Sequence, residues 1–171
     1  FLRHKIKELF TAPTDVALFY FSGRGRSDQL DNILLTKEDD RQGFGVPLSM
    51  IIDYAIRSDI QEVILILDCH VDINQLAKFQ QTISMFRQGI SVLSSGYPVT
   101  ENGLDKSNRS LFTPMLISAL NGGAADMLGI VTIASAYTFI EQRLRHFYLA
   151  PVFKSNIAQM TPIRQCAPRI P

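Results

Sequence analysis

The strongest constraint on this chain is a pair of short apolar runs with no polar alternation. Val63-Ile64-Leu65-Ile66-Leu67 is continuous aliphatic sequence, and Val16–Ser22 holds the aromatic run Phe19-Tyr20-Phe21. Such segments are too short for an ordinary helix and too apolar for a strand with one wet face. Both therefore read as buried strands of a mostly parallel sheet. Each run stops abruptly, in Gly23-Arg24-Gly25 after Ser22 and in Asp68-Cys69-His70 after Leu67. Parallel sheets place their sites at the carboxyl ends of their strands, so these two ends form the candidate site.

The rest of the chain supplies layers for that sheet. Leu2, Ile6, Leu9 and Phe10 recur at helical spacing between Arg3, Lys5, Lys7 and Glu8, which predicts an amphipathic helix over 1–10, ended by Pro13. Gly23 and Gly25 predict a tight turn after the first strand. Asn32–Thr36 reads as a short strand before the polar loop Lys37–Gly45. Pro47 suits the first turn of a helix with Met50, Ile51, Tyr54 and Ala55 on its apolar face. Ile73–Gln88 reads as a covering helix, Ile90–Ser94 as a strand and Tyr97–Asn108 as a loop. Phe112–Leu120 and Ile133–Phe147 read as helices, the first stopped by Gly122-Gly123, and Val152–Ile157 reads as the last strand. Strands alternating with helices in this order predict an α/β three-layer sandwich with a mostly parallel sheet flanked by helices.

Composition sets the outer bounds. A length of 171 residues suits a single domain, one able to bury about 70% of its unfolded surface. With 46% hydrophobic residues, 19% charged residues and a formal net charge of +1, the chain is neither disordered nor built to hold nucleic acid by charge. No apolar run approaches the roughly 20 residues that span a bilayer, and the charged segment opening at Phe1 is not a signal peptide. The expectation is a cytoplasmic protein. Cys69 and Cys166 do not make a disulfide framework.

With the two strand ends in register, the chain resembles the caspase and metacaspase superfamily of cysteine peptidases, most closely its bacterial caspase-like members. In that family the first strand ends in Ser-Gly-His-Gly, which carries the general base. The second ends in Asp-Cys-Cys-His-Ser-Gly in many prokaryotic members, where the second Cys is the nucleophile. Here Arg24 stands in the base position and His70 in the nucleophile position. Their separation is close to the roughly 50 residues between base and nucleophile in caspases. Gly45-Val46-Pro47-Leu48-Ser49, Gly89–Ser95, Ser110–Thr113, Ala119–Asp126 and Pro151–Lys154 follow in the family's order. The family has a central strand, a helix and a further strand before the equivalent of Phe1, so the resemblance implies a fragment lacking its first central strand.

The loop chemistry departs from the family's. Arg24 cannot act as a base, because a guanidinium stays protonated at physiological pH. His70 is a weak nucleophile with no partner base, and Val71, Asp72 and Ile73 replace the His-Ser-Gly that follows the family's nucleophile. A β-branched Ile in place of Gly disfavours positive φ and implies a remodelled loop. By resemblance, Gly25 lies next to the oxyanion donor region, and Asp68 lines a pocket for a basic side chain. Arg24 and Asp72, or Asp68, are expected to form a structural ion pair across the former cleft.

Cys69 with His70 as its base is the competing constellation, an altered cysteine endopeptidase with a preference for basic residues. Neighbouring residues of an extended strand face opposite ways, which argues against it; the ordinary role of such a Cys is a small buried apolar residue. Cys69, His70 and Asp72 lack the spacing of a metal motif, and no cofactor is implied. His4 and His146 take no role beyond packing or solvation. The expectation is a pseudopeptidase domain that binds a protein or peptide partner. Its last strand, at a sheet edge, is one pairing surface. Caspases dimerise through that region and metacaspases generally do not, so the oligomeric state is left open.

Overall fold

The computed structural model describes residues 2–27, 31–35, 45–69, 86–95, 110–147, 149–157 and 159–168. Its centre is a four-stranded sheet in the order β1-β5-β6-β8, made of β1 (Val16–Ser22), β5 (Glu62–Asp68), β6 (Ile90–Ser94) and β8 (Val152–Asn156). The first three strands are parallel, with Val16 opposite Glu62, Ser22 opposite Asp68, and Val63 opposite Ile90. The edge strand β8 runs antiparallel to β6, with Ile90 opposite Asn156. The aliphatic run is the central β5, buried at every position, as a strand covered on both faces must be.

Strand alternation divides the core in two. Val63, Leu65, Leu67 and Cys69 face a layer built from Ile6 and Phe10 of α1 (Leu2–Thr11) and Leu48, Ile51, Ile52 and Ala55 of α2 (Leu48–Arg57). Ile64 and Ile66 face the opposite layer, formed by Phe112 and Leu116 of α3 (Phe112–Ser118) and Ile133, Ala136, Phe139 and Ile140 of α4 (Ile133–Leu144). The result is helices, sheet, helices. Glu62 and Asp68 occupy the two ends of the Ile64–Ile66 row, so β5 carries a carboxyl group at each end of one face.

Local chemistry explains the helix starts. In α4, Thr132 accepts from the Ser135 N–H and the Ser135 hydroxyl accepts from the Thr132 N–H, a reciprocal capping box. Helix α2 begins after Pro47, which offers no capping side chain. The Asp31 carboxylate takes that place from outside the helix, accepting from the Ser49 N–H at 3.3 Å.

Several expectations are corrected. The Gly23–Gly25 segment is not a free turn, because Arg24–Ser27 forms β2, antiparallel to β3 (Asn32–Leu35), which pairs in turn with β4 (Val46–Pro47). Gly25 sits in that ladder opposite Leu34. The helix expected over Phe112–Leu120 changes at Ala119 to a wider π-turn that ends at Gly123. The one expected over Ile133–Phe147 is α-helical to Leu144 and tightens to a 3₁₀ turn over Arg145–Phe147. A further pair, β7 (Ile130–Thr132) with β9 (Pro162–Gln165), was not anticipated. The expected loops over 37–44 and 97–108, and most of the helix over 73–88, lie outside the described residues. Phe86, Arg87 and Gln88, the described end of that span, are not helical, and Phe86 is buried in the α1–α2 layer. Among the described residues no helix is long and apolar enough to cross a membrane.

Candidate functional site

The carboxyl ends of β1, β5 and β6 meet as the sequence predicts. The Gly23 N–H donates to the Asp68 carbonyl at 3.1 Å and the Ser95 N–H donates to the Leu67 carbonyl at 2.9 Å. These bonds extend the sheet by one step at the place where a cleft was expected. The Ser95 hydroxyl donates to the Cys69 carbonyl at 3.2 Å.

Asp68 is only 4% exposed. Ser110 donates its hydroxyl to Oδ1 at 2.6 Å, and Thr113 donates its hydroxyl to Oδ2. Because the Thr113 proton is committed to Asp68, the 2.7 Å contact between Thr113 and the Tyr20 hydroxyl has Tyr20 as donor. Ser110 also accepts from the Phe112 N–H at 3.1 Å. A proton chain therefore runs from Tyr20 through Thr113 into the carboxylate, and the same carboxylate ties the start of α3 to the end of β5. Polar groups buried this deeply need such partners. Both oxygens of Asp68 already hold protein hydroxyls, in contrast to the open pocket for a basic side chain that the resemblance implies.

Cys69 points the other way, into the α1–α2 layer, with no exposed surface. Burial, reinforced by the neighbouring Asp68 charge, pushes its thiol up to about 12. A thiol in that state is protonated at neutral pH and is a poor nucleophile. Iodoacetamide at pH 8 is expected to leave Cys69 unmodified in the folded protein and to alkylate it once the chain is unfolded in guanidinium, as read by peptide mass mapping. The same shift has a stability consequence. The folded state holds this proton more tightly than the unfolded state, so the stabilisation is complete below pH 9 and is lost as pH rises from 9 towards 12. Compared with Cys69→Ala, the parent protein is expected to lose more melting temperature between pH 9 and 11.

Arg24 lies exposed in β2, opposite Leu35. His70, Val71, Asp72 and Ile73 lie outside the described residues, and the proposed Arg24–Asp72 pair falls there with them. His4 contacts Glu8 on the exposed side of α1 at 3.0 Å, and His146 lies exposed in the 3₁₀ turn. Among the described residues, no group of three His, Cys, Asp or Glu side chains could hold a metal ion. Sequence reasoning missed Tyr20, Ser110 and Thr113. The available signal was a pair of hydroxyl residues at the start of a helix, in a chain with a carboxylate at a strand end.

No protein-family model matches the chain, and no curated protein matches it in sequence.

Proposed function

We propose that this chain is a catalytically inactive caspase-like domain that works by binding a protein or peptide partner. The observation that carries this reading is the closure of the β5 end. Cys69 is sealed in the core with its thiol pushed up to about 12, while each oxygen of the buried Asp68 accepts from a protein hydroxyl, Ser110 or Thr113. Covalent peptide hydrolysis needs an accessible, activated nucleophile and a base beside it, and Arg24 in the base position cannot take a proton.

Binding has a candidate surface on the opposite flank. Among the described residues strand β1 lies at one end of the sheet, and its Val16, Leu18 and Tyr20 side chains are about two-fifths exposed, Leu18 most of all at 45%. Ile117 of α3, one turn beyond the Tyr20 partner Thr113, is also exposed. These exposed apolar side chains at the end of a sheet favour an extended apolar segment, which the upstream strand implied by the resemblance or a separate partner chain would supply, with backbone hydrogen bonds for affinity and alternate side chains for specificity. The edge strand β8 is a second surface of the same kind.

Two measurements test the reading. Fluorogenic peptides ending in Arg or Lys are expected to show no turnover, and a thiol-directed activity probe is expected not to label the folded protein. Turnover abolished by Cys69→Ala, or labelling of Cys69 blocked by substrate, would establish instead an altered cysteine endopeptidase built on Cys69 and His70. For the binding arm, a photocrosslinker at Leu18 is expected to give a discrete protein adduct in cells. The same group at Lys7, on the exposed side of α1, is expected to give none.

A further inference from the structure

The amino end of the central sheet holds a carboxylate with an unmet need. Glu62 is the first residue of β5 and only 3% exposed, yet its Oε1 has no hydrogen-bond partner. It lines a small cavity together with Ser91, Thr132 and Thr161, and the Thr161 hydroxyl is likewise buried and unpartnered. Two orphaned buried oxygens on residues that line one cavity are unusual, since desolvating a carboxylate without a partner is among the costliest arrangements in a folded protein.

The chemistry of the wall narrows the occupant. Among the described residues no Lys, Arg or His side chain lines the cavity, so none of them balances Glu62 there. The remaining polar side chains are the neutral hydroxyls of Ser91, Thr132 and Thr161 and the amide of Gln159, each with an oxygen that can face a cation. Thr132 accepts a single bond from the Ser135 N–H, and Ser91 shares one proton with Ser155 at 2.7 Å. The space open to the centre of a water-sized sphere is about 10 Å³, close to what one such body occupies. One negative charge and several neutral oxygens around a single small space match an ion of charge one. Divalent calcium or magnesium takes more ligands and usually more carboxylate.

We propose that Glu62, Ser91, Thr132 and Thr161 form a binding site for one monovalent inorganic cation of potassium or sodium size, at the opposite end of β5 from Asp68. Glu62 supplies the charge and Thr161 a neutral ligand. Met160, which is exposed, lines the same cavity. The bound ion links the start of β5 to the 159–161 segment.

The test is thermal unfolding at constant ionic strength in KCl, NaCl or choline chloride, choline being too large for the space. The melting temperature is expected to stand about 2–4 °C higher in the potassium or sodium salt, and Glu62→Gln is expected to remove the difference. Thr161→Val tests the site without touching the charge and is expected to raise the cation concentration at half-effect about fivefold, roughly 1 kcal/mol of binding. Crystals soaked in thallium(I) are expected to show an anomalous peak between Glu62 and Thr161. Equal melting temperatures in all three salts, or a cation response that survives both substitutions, would overturn the proposal and leave a water molecule or a proton on Glu62.

Discussion

Replacing Gly89 with Ala is expected to unfold the protein or lower its melting temperature by more than about 6 °C, as read by circular dichroism and calorimetry. Gly89 enters β6 with φ at +93°, a region that L-residues other than glycine rarely occupy. A Cβ there would stand 1.9 Å from the Gln61 carbonyl oxygen, a backbone atom that no rotamer change can move. The same residue donates its N–H to the Asn156 carbonyl at 2.7 Å and accepts from the Val63 N–H at 2.8 Å. Relief of the clash must therefore break the registration of β5, β6 and β8 together. Strain and lost ladder bonds of this kind exceed about 3 kcal/mol, and in a chain of this length each kcal/mol lowers the midpoint by about 2–4 °C. A Gly89→Ala protein that melts within 2 °C of the parent would refute this account of the β6 entry.

Asp68→Ala is expected to cost about 3 kcal/mol, or about 6–12 °C in melting temperature. It removes the acceptor for both Ser110 and Thr113 in a place that water does not freely reach, and leaves Tyr20 donating to a hydroxyl with no onward partner. Hydrogen bonds to a carboxylate are worth more than neutral ones, so Asp68→Asn, which keeps one carbonyl oxygen, is expected to recover roughly half of the loss. Thr113→Val is expected to release Tyr20 as well, visible as a change in the near-ultraviolet tyrosine signal. If Asp68 served an incoming basic side chain rather than α3, Asp68→Ala would leave the melting temperature within about 1 °C of the parent.

The legible parts of this fold are those whose burial follows a period. The runs at Val63–Leu67 and Phe19–Phe21 announced β5 and β1, and the Ile6–Phe10 spacing announced α1, because a core face needs several apolar residues in phase. Strands β2, β4, β7 and β9 left no such trace. Arg24–Ser27 has no apolar residue and borrows its hydrophobic partners from Ile33 and Leu34 across the ladder, while β7 buries only Val131. The Gly-Arg-Gly sequence therefore read as a turn. At the site, Asp68 was found as a strand-end acid, but its hydroxyl partners are 42 and 45 residues away in the chain. Only tertiary packing brings them together. Glu62 is not legible because a charged residue just before an aliphatic run looks like the solvated start of a strand, and Thr132 and Thr161, which line the same cavity, are distant from it in the chain.

The alternation along β5 limits what redesign of this strand end can achieve. Cys69 belongs to the α1–α2 side and Asp68 to the α3 side, so rebuilding a base near Asp68 would still leave the sulfur behind the sheet. Bringing that sulfur forward would take a one-residue slip of β5. Such a slip would drive Ile64 and Ile66 into the space of Val63, Leu65 and Leu67, exchanging the two cores. A designer who wants a reactive thiol on the face of Asp68 must graft it onto another element, and the start of α3, where Ser110 and Thr113 already point at that face, is the nearest scaffold.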